Sequence, residues 1–153
     1  MKTLIKKTLL VLMVAFIAVF TLGVSSKVKA ASYVESDFGE GKYLITTVFN
    51  GDKYYLPATT TNQGPVAQSF TDVSTISEEH LWTVTASDSN YYIQNSEGQY
   101  LYTTNTNNGV RVGKTANTWK YDSSNNSFKD TATNRYLGIY NSQNWRCYTT
   151  VNQ

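Results

Sequence analysis

Among 153 residues there is one cysteine, Cys147, one histidine, His80, and two prolines, Pro57 and Pro65. A lone thiol excludes an internal disulfide, so the fold must hold by packing. One His and one Cys cannot supply the three or four nitrogen and sulfur ligands of a zinc site, and no metal or cofactor is expected. They also form the sole imidazole-based nucleophile pair available. In the stretch WRCYTT, alternation puts Trp145, Cys147 and Thr149 on one face and Arg146, Tyr148 and Thr150 on the other. Cys147 is therefore expected inward as a small core residue, the other reading being an intermolecular disulfide. Charge is sparse as well, at 16% of residues. Most acids stand in predicted turns, and no feature brings two together as glycoside hydrolysis requires. A hydrolase whose acids meet only in three dimensions is the weakest of the functional readings, and the chain is read as no enzyme.

Long apolar runs are missing except at the start. Lys2, Lys6 and Lys7 precede an apolar stretch from Leu9 to Val24, and Val28-Lys29-Ala30 places small residues at the last and third-last positions. This reads as a signal peptide over residues 1–30, cleaved after Ala30 or Ala31. The apolar run is about 16 residues, roughly 24 Å of helix, shorter than a membrane span, although a retained anchor is the competing reading. No Cys follows it to take a lipid. The expected product is secreted and extracellular, with no membrane span after cleavage, and the lysine-rich signal suits a Gram-positive bacterium.

Removing residues 1–30 reverses the charge. The whole chain carries +2, but residues 31–153 hold eight basic and eleven acidic side chains, a net of −3. The scattered basic residues speak against a nucleic-acid partner.

What is abundant points to strands. Residues 31–153 contain 12 Tyr, 18 Thr and 14 Asn. Tyr and Thr fit a pleated, half-buried surface, and Asn suits turns. No 3.6-residue apolar period occurs after residue 31, although STISEEHL (residues 74–81) can form one helical turn. Eleven short strands are predicted: 42–49, 53–58, 66–71 and 81–85; 91–94, 100–104, 110–113 and 118–121; 127–129, 136–140 and 145–150. Asn50-Gly51-Asp52, Ser96-Glu97-Gly98, Asn107-Asn108-Gly109 and Thr133-Asn134 are apt turns between them.

The three groups align. DKYYL, GQYLY and NRYLG each carry Tyr-Leu after a turn, and Trp82 and Trp119 follow in two groups. Three degenerate units imply pseudo-threefold symmetry. A twelfth strand is expected from Tyr33 to Phe38, beside the C-terminus, which would protect the edges.

Over Gly41 to Gln153 these repeated units, with Trp82 and Trp119, resemble the β-trefoil superfamily: ricin-B-type lectins, fascin-like domains and related bacterial carbohydrate-binding modules. The resemblance implies an all-β, trefoil-like barrel of about twelve short strands, filling residues 31–153 as a single domain. The pattern departs from the ricin type in two ways. Gln-x-Trp occurs once, as Gln143-Asn144-Trp145, in a different strand of the unit, and the disulfides are missing. The tail, FKDTATNRYLGIYNSQNWRCY, also resembles C-terminal β modules of secreted enzymes of gut bacteria. A β-sandwich or another small barrel is the alternative fold.

A sugar presents an apolar C–H face and a fringe of hydroxyls, which an aromatic plane beside amides complements. Two such clusters stand out. Tyr102 precedes Asn105 and Asn107, with Arg111 on the returning strand, and Tyr140 precedes Asn144 and Trp145. The expected function is a secreted, non-enzymatic module binding cell-surface or mucus glycan. Tyr102 and Tyr140 (or Trp145) would stack on the sugar, with Asn105, Asn107, Asn144 and Arg111 bonding its hydroxyls. The alternative is a protein-interaction factor (adhesin, inhibitor or small toxin) that uses trefoil loops against a cell-surface protein.

Overall fold

Short runs of Tyr, Thr and Val, broken by Asn and Gly, produce twelve antiparallel strands. The computed structural model describes residues 38–104 and 108–151. The strands are β1 (Gly41–Tyr43), β2 (Thr46–Phe49), β3 (Asp52–Tyr55), β4 (Gln68–Phe70), β5 (Trp82–Ser87), β6 (Asn90–Gln94), β7 (Tyr100–Thr103), β8 (Val110–Gly113), β9 (Trp119–Asp122), β10 (Ser127–Asp130), β11 (Tyr136–Tyr140) and β12 (Asn144–Tyr148). Among the described residues the chain is thus all-β, with no α-helix. The expected signal peptide and the stretch from Tyr33 to residue 37 lie outside the described residues.

Nine strands form one sheet, in the order β1-β5-β6-β9-β10-β11-β12, with β7 and β8 branching from β6. The other three form the sheet β2-β3-β4. Neither sheet closes on itself among the described residues. The predicted strand 42–49 is two strands because its halves have different partners. Gly41–Tyr43 pairs with β5, and Thr46–Phe49 pairs with β3.

Asparagine makes the turns. Asn50, Asn62, Asn108, Asn126, Asn134 and Asn141 all have φ between 45° and 59°, the left-handed region that Asn enters at least cost after glycine. Asn50-Gly51, with φ of 52° and 88°, closes the β2–β3 hairpin.

The Tyr-Leu phrase is a corner, built three times. In each unit the tyrosine pairs across the strand just before the turn: Tyr55 with Thr46, Tyr100 with Gln94, Tyr136 with Lys129. The next residue, Leu56, Leu101 or Leu137, turns toward the core. Leu56 and Leu101 are fully buried and Leu137 packs against the cluster. Indole N–H groups then fasten two of the corners: Trp82 Nε1 donates to Leu56 O at 2.9 Å, and Trp119 Nε1 to Leu101 O at 2.8 Å. The third unit has no equivalent tryptophan, and the Leu137 carbonyl accepts from Ser127 Oγ at 3.5 Å.

In place of the predicted helical turn in STISEEHL there are two 3-10 turns, Val73–Thr75, which starts one residue ahead of that stretch, and Glu78–His80. The cap of the first is Asp72, just outside that stretch, whose Oδ1 accepts from Ser74 N at 2.9 Å.

One aromatic cluster fills an end of the core. Phe38 packs within 4.3–5.3 Å, ring centre to ring centre, of Tyr43, Tyr91, Tyr121 and Phe128. These four come from β1, β6, β9 and β10. A single residue ahead of the first strand therefore ties four strands together.

Candidate functional site

At the other structural focus three hairpin segments meet. The loop 62–67 of the first unit is wedged between the second and third hairpins. Gln63 O accepts from Val112 N at 2.9 Å, Pro65 O from Trp145 N at 3.0 Å, and Ala67 N donates to Gln143 O at 3.0 Å. The second and third hairpins join directly through Cys147 N to Asn108 O at 2.9 Å and a bridge between Gly109 and Arg146. Arg135 Nη1 also donates to Asn108 Oδ1. Backbone bonds between all three units fix this surface, so its side chains project from a rigid base.

In the third unit two of the three sequence-predicted residues, Tyr140 and Asn144, come together. Tyr140 and Asn144 face each other across β11 and β12. Tyr140 is 40% exposed, one of few large apolar side chains so open. The Arg146 guanidinium lies 4.8 Å from its ring centre, and Arg146 Nε donates to Asn144 Oδ1 at 2.9 Å. Ring, cation and amide are thereby held in one array.

Trp145 does not join that array. It is 3% exposed, with Nε1 donating to Tyr55 O at 3.1 Å, so its ring fills the core and is not a surface platform. The reason lies in the alternation of β12, where Trp145 and Cys147 are buried and Asn144, Arg146 and Tyr148 are half-buried. An amphipathic indole satisfies its one donor on a backbone carbonyl and brings its apolar bulk inside.

In the second unit Tyr102 pairs directly with Arg111 across β7 and β8. Tyr102 is half-buried, its ring against Gly113, where an added Cβ would stand 3.4 Å from Tyr102 Cε1. Arg111 is exposed, and its Nη1 donates to Val110 O at 2.8 Å. The first-unit loop lies alongside: a Cβ on Gly64 would meet Arg111 Nη1 at 2.7 Å. Gly64 thus leaves room for the guanidinium. Asn105 and Asn107 lie outside the described residues.

A groove on the first unit has no counterpart in the sequence reading. It encloses about 660 Å³ between β3, β4 and the 3-10 turns, with Tyr55, Phe70, Ser69, Ser77 and His80 among its walls. Its size lies in the range of small-molecule sites. His80 packs edge-on to Tyr55 at 5.0 Å, its Nε2 is 3.8 Å from Glu79 Oε1, and its Nδ1 is buried without a hydrogen-bond partner. Burial lowers the His80 pKa from its usual 6.5, and the Glu79 charge opposes the shift. Burial, aided by Glu79, raises that of Tyr55. Nothing in STISEEHL signals this site, because its walls converge only once β3 and β4 pair.

The His80 environment carries a pH signature. A histidine with a depressed folded pKa binds its proton more readily when unfolded. Its stabilising contribution is whole above pH 6.5 and is lost as pH falls toward the folded value. His80→Gln is therefore expected to flatten the loss of stability between about pH 7 and pH 5, followed by urea unfolding at each pH. The Asp122 window is separate and lower. Hydrogen bonds from Asn125 and Ser124 hold its carboxyl down at about 2. An unchanged slope in the variant would assign that loss to other groups.

Cys147 is fully buried, and burial first, then the Asp130 charge, pushes its thiol up while Arg135 pulls it down. Such a thiol is inert as a nucleophile at neutral pH. Maleimide labelling is expected to be slow in the native protein and fast in guanidinium; rapid native labelling would contradict the burial. Among the described residues no three His, Cys, Asp or Glu gather as a metal-ion site, and no helix is long and apolar enough to cross a membrane.

Compared with family models, curated proteins and solved structures, the chain has no match.

Proposed function

We propose that this chain is a secreted, non-enzymatic glycan-binding module of β-trefoil-like architecture. It would engage cell-surface or mucus sugars through the Tyr140 array and the neighbouring Tyr102–Arg111 pair. Strand order supports the architecture. The run β1-β5-β6-β9-β10 alternates the first and last strands of successive units, and the Tyr-Leu corners lead from it into hairpins.

The observation that carries the functional reading is the exposed Tyr140 ring held beside Asn144 and Arg146. An aromatic plane next to amide and guanidinium donors matches the apolar face and hydroxyl fringe of a pyranose. A rigid base keeps the ordering cost of binding low.

A glycan array on the secreted protein tests this. Tyr140→Ala is expected to lower affinity by roughly tenfold or more, about 1.4 kcal/mol, and Tyr102→Ala by less, because that ring is partly covered. Binding unchanged in both variants would remove the site. Retention of the protein by deglycosylated surface extracts, with no glycan bound on the array, would favour a protein partner. Val66, 54% exposed and bridged to Asn144, would then be its apolar contact.

A further inference from the structure

The arginines of this chain are not scattered in space. There are three, Arg111, Arg135 and Arg146, and all three stand where the hairpins meet. Arg146 bridges Gly109, Arg135 bonds Asn108, and Arg111 lies two residues further along, against Gly64. The acids avoid the same segments. Residues 53–71, 98–121 and 131–153 hold no Asp or Glu, the first of them starting just after Asp52 at the head of β3, yet they hold six of the eight basic side chains found after residue 30. All eleven acids lie elsewhere. Of the five carboxylates that border these segments in the chain, Asp52, Asp72, Glu97, Asp122 and Asp130, the last is fully buried, with its oxygens taken by Thr133 and Asn117. A chain that is net negative after residue 30 thus gathers its three arginines at one place.

Arginine there has a chemical meaning that lysine would not. Its planar fork matches a carboxylate or sulfate with two parallel hydrogen bonds. Each candidate tyrosine has one beside it: Tyr102 pairs across the strands with Arg111, and the Arg146 guanidinium lies 4.8 Å from the Tyr140 ring centre. A neutral sugar needs the ring and the amide, but it gives two guanidinium groups nothing to neutralise.

We infer that the hairpin surface selects acidic saccharides, meaning sugars that carry a carboxylate or a sulfate, over their neutral forms. This rests on the glycan-binding reading above and narrows it to a ligand class. The sugar ring lies on the tyrosine, and its anionic group reaches the neighbouring guanidinium. Local attraction also raises the encounter rate against the negative background of the rest of the chain.

The test compares a neutral lactosamine-type oligosaccharide, its sialylated form and its sulfated form on the secreted protein, by calorimetry or interferometry. At least one acidic form is expected to bind roughly tenfold tighter than the neutral one, as a charge-assisted bond pair allows. The ratio is expected to shrink as NaCl rises from about 0.05 to about 0.5 M. Arg111→Gln and Arg146→Gln should each cut the acidic-to-neutral ratio several-fold, with near-ultraviolet circular dichroism confirming the fold. Lys42→Gln, on the exposed face of β1, should leave it unchanged. The sialylated and sulfated arms tell the two sources of charge apart. Equal or better binding of the neutral sugar overturns the acidic preference and leaves the glycan reading standing. Failure of all three sugars, with no other glycan bound on the array, overturns both. A loss in Lys42→Gln equal to that in Arg111→Gln overturns the assignment to this surface.

Discussion

Trp119→Ala is expected to destabilise the protein by about 3–5 kcal/mol, the usual loss for truncating a fully buried tryptophan. For a domain of this size that lowers the melting temperature by on the order of 10–20 °C. The ring is wholly inside and its N–H is the donor for Leu101 O at 2.8 Å. Two effects therefore combine: a large cavity, and a carbonyl at the Tyr-Leu corner left without its partner. Trp119→Phe separates them. It keeps much of the apolar volume but loses the N–H, so the corner carbonyl alone should cost about 1–3 kcal/mol. Trp82 holds Leu56 O in the same way in the first unit, and Trp82→Ala should behave alike. Chemical denaturation of the four proteins at one pH is the measurement. A Trp119→Ala variant within 1 kcal/mol of the parent would mean that the corner is not held from the core.

The same corner explains how far the sequence could be read. A period of two is visible residue by residue, so the inward set of β12, Trp145 and Cys147, follows from WRCYTT alone. The Tyr-Leu repeat is visible because the same steric problem, a strand turning from sheet to hairpin, has been solved three times with the same residues. What alternation cannot tell is where a strand changes partner. Lys42–Phe49 reads as one run, yet pairing with β5 ends at Tyr43 and pairing with β3 starts at Thr46. Trp145 stands beside amides, which offers it as an alternative stacking ring to Tyr140, but its N–H bonds Tyr55 O inside the core, on the face that alternation shares with Cys147. The His80 groove was invisible for another reason: its walls come from stretches 25 residues apart in the chain, Tyr55 and His80, joined only by tertiary packing. The Tyr140 array, by contrast, is local to one hairpin, and local order is what sequence patterns express.

Asp130→Ala is expected to cost about 2–4 kcal/mol, because it leaves three part-buried donors without their acceptor at once. The carboxylate is fully buried. Its Oδ1 accepts from Thr133 N at 2.7 Å and Thr133 Oγ1 at 3.0 Å, and its Oδ2 from Asn117 Nδ2 at 2.7 Å. The backbone closes over it, Asp130 N donating to Arg135 O at 2.8 Å. The second unit performs this task with an amide. Asn95 is 3% exposed, its Oδ1 accepts from Gln99 N at 2.8 Å and Glu97 N at 3.1 Å, and its backbone N donates to Gln99 O at 2.9 Å. Both residues stand immediately after the strand partner of the Tyr-Leu tyrosine, so both anchor the turn that precedes the corner. The equivalence predicts a graded series. Asp130→Asn keeps the acceptor for Thr133 and, once the Asn117 amide rotates, the second bond also, at a cost of about 1 kcal/mol. Asp130→Ala loses every acceptor. If urea unfolding gave the asparagine variant the same loss as the alanine one, the negative charge itself would be what the site requires, and the likeness to Asn95 would be one of shape alone.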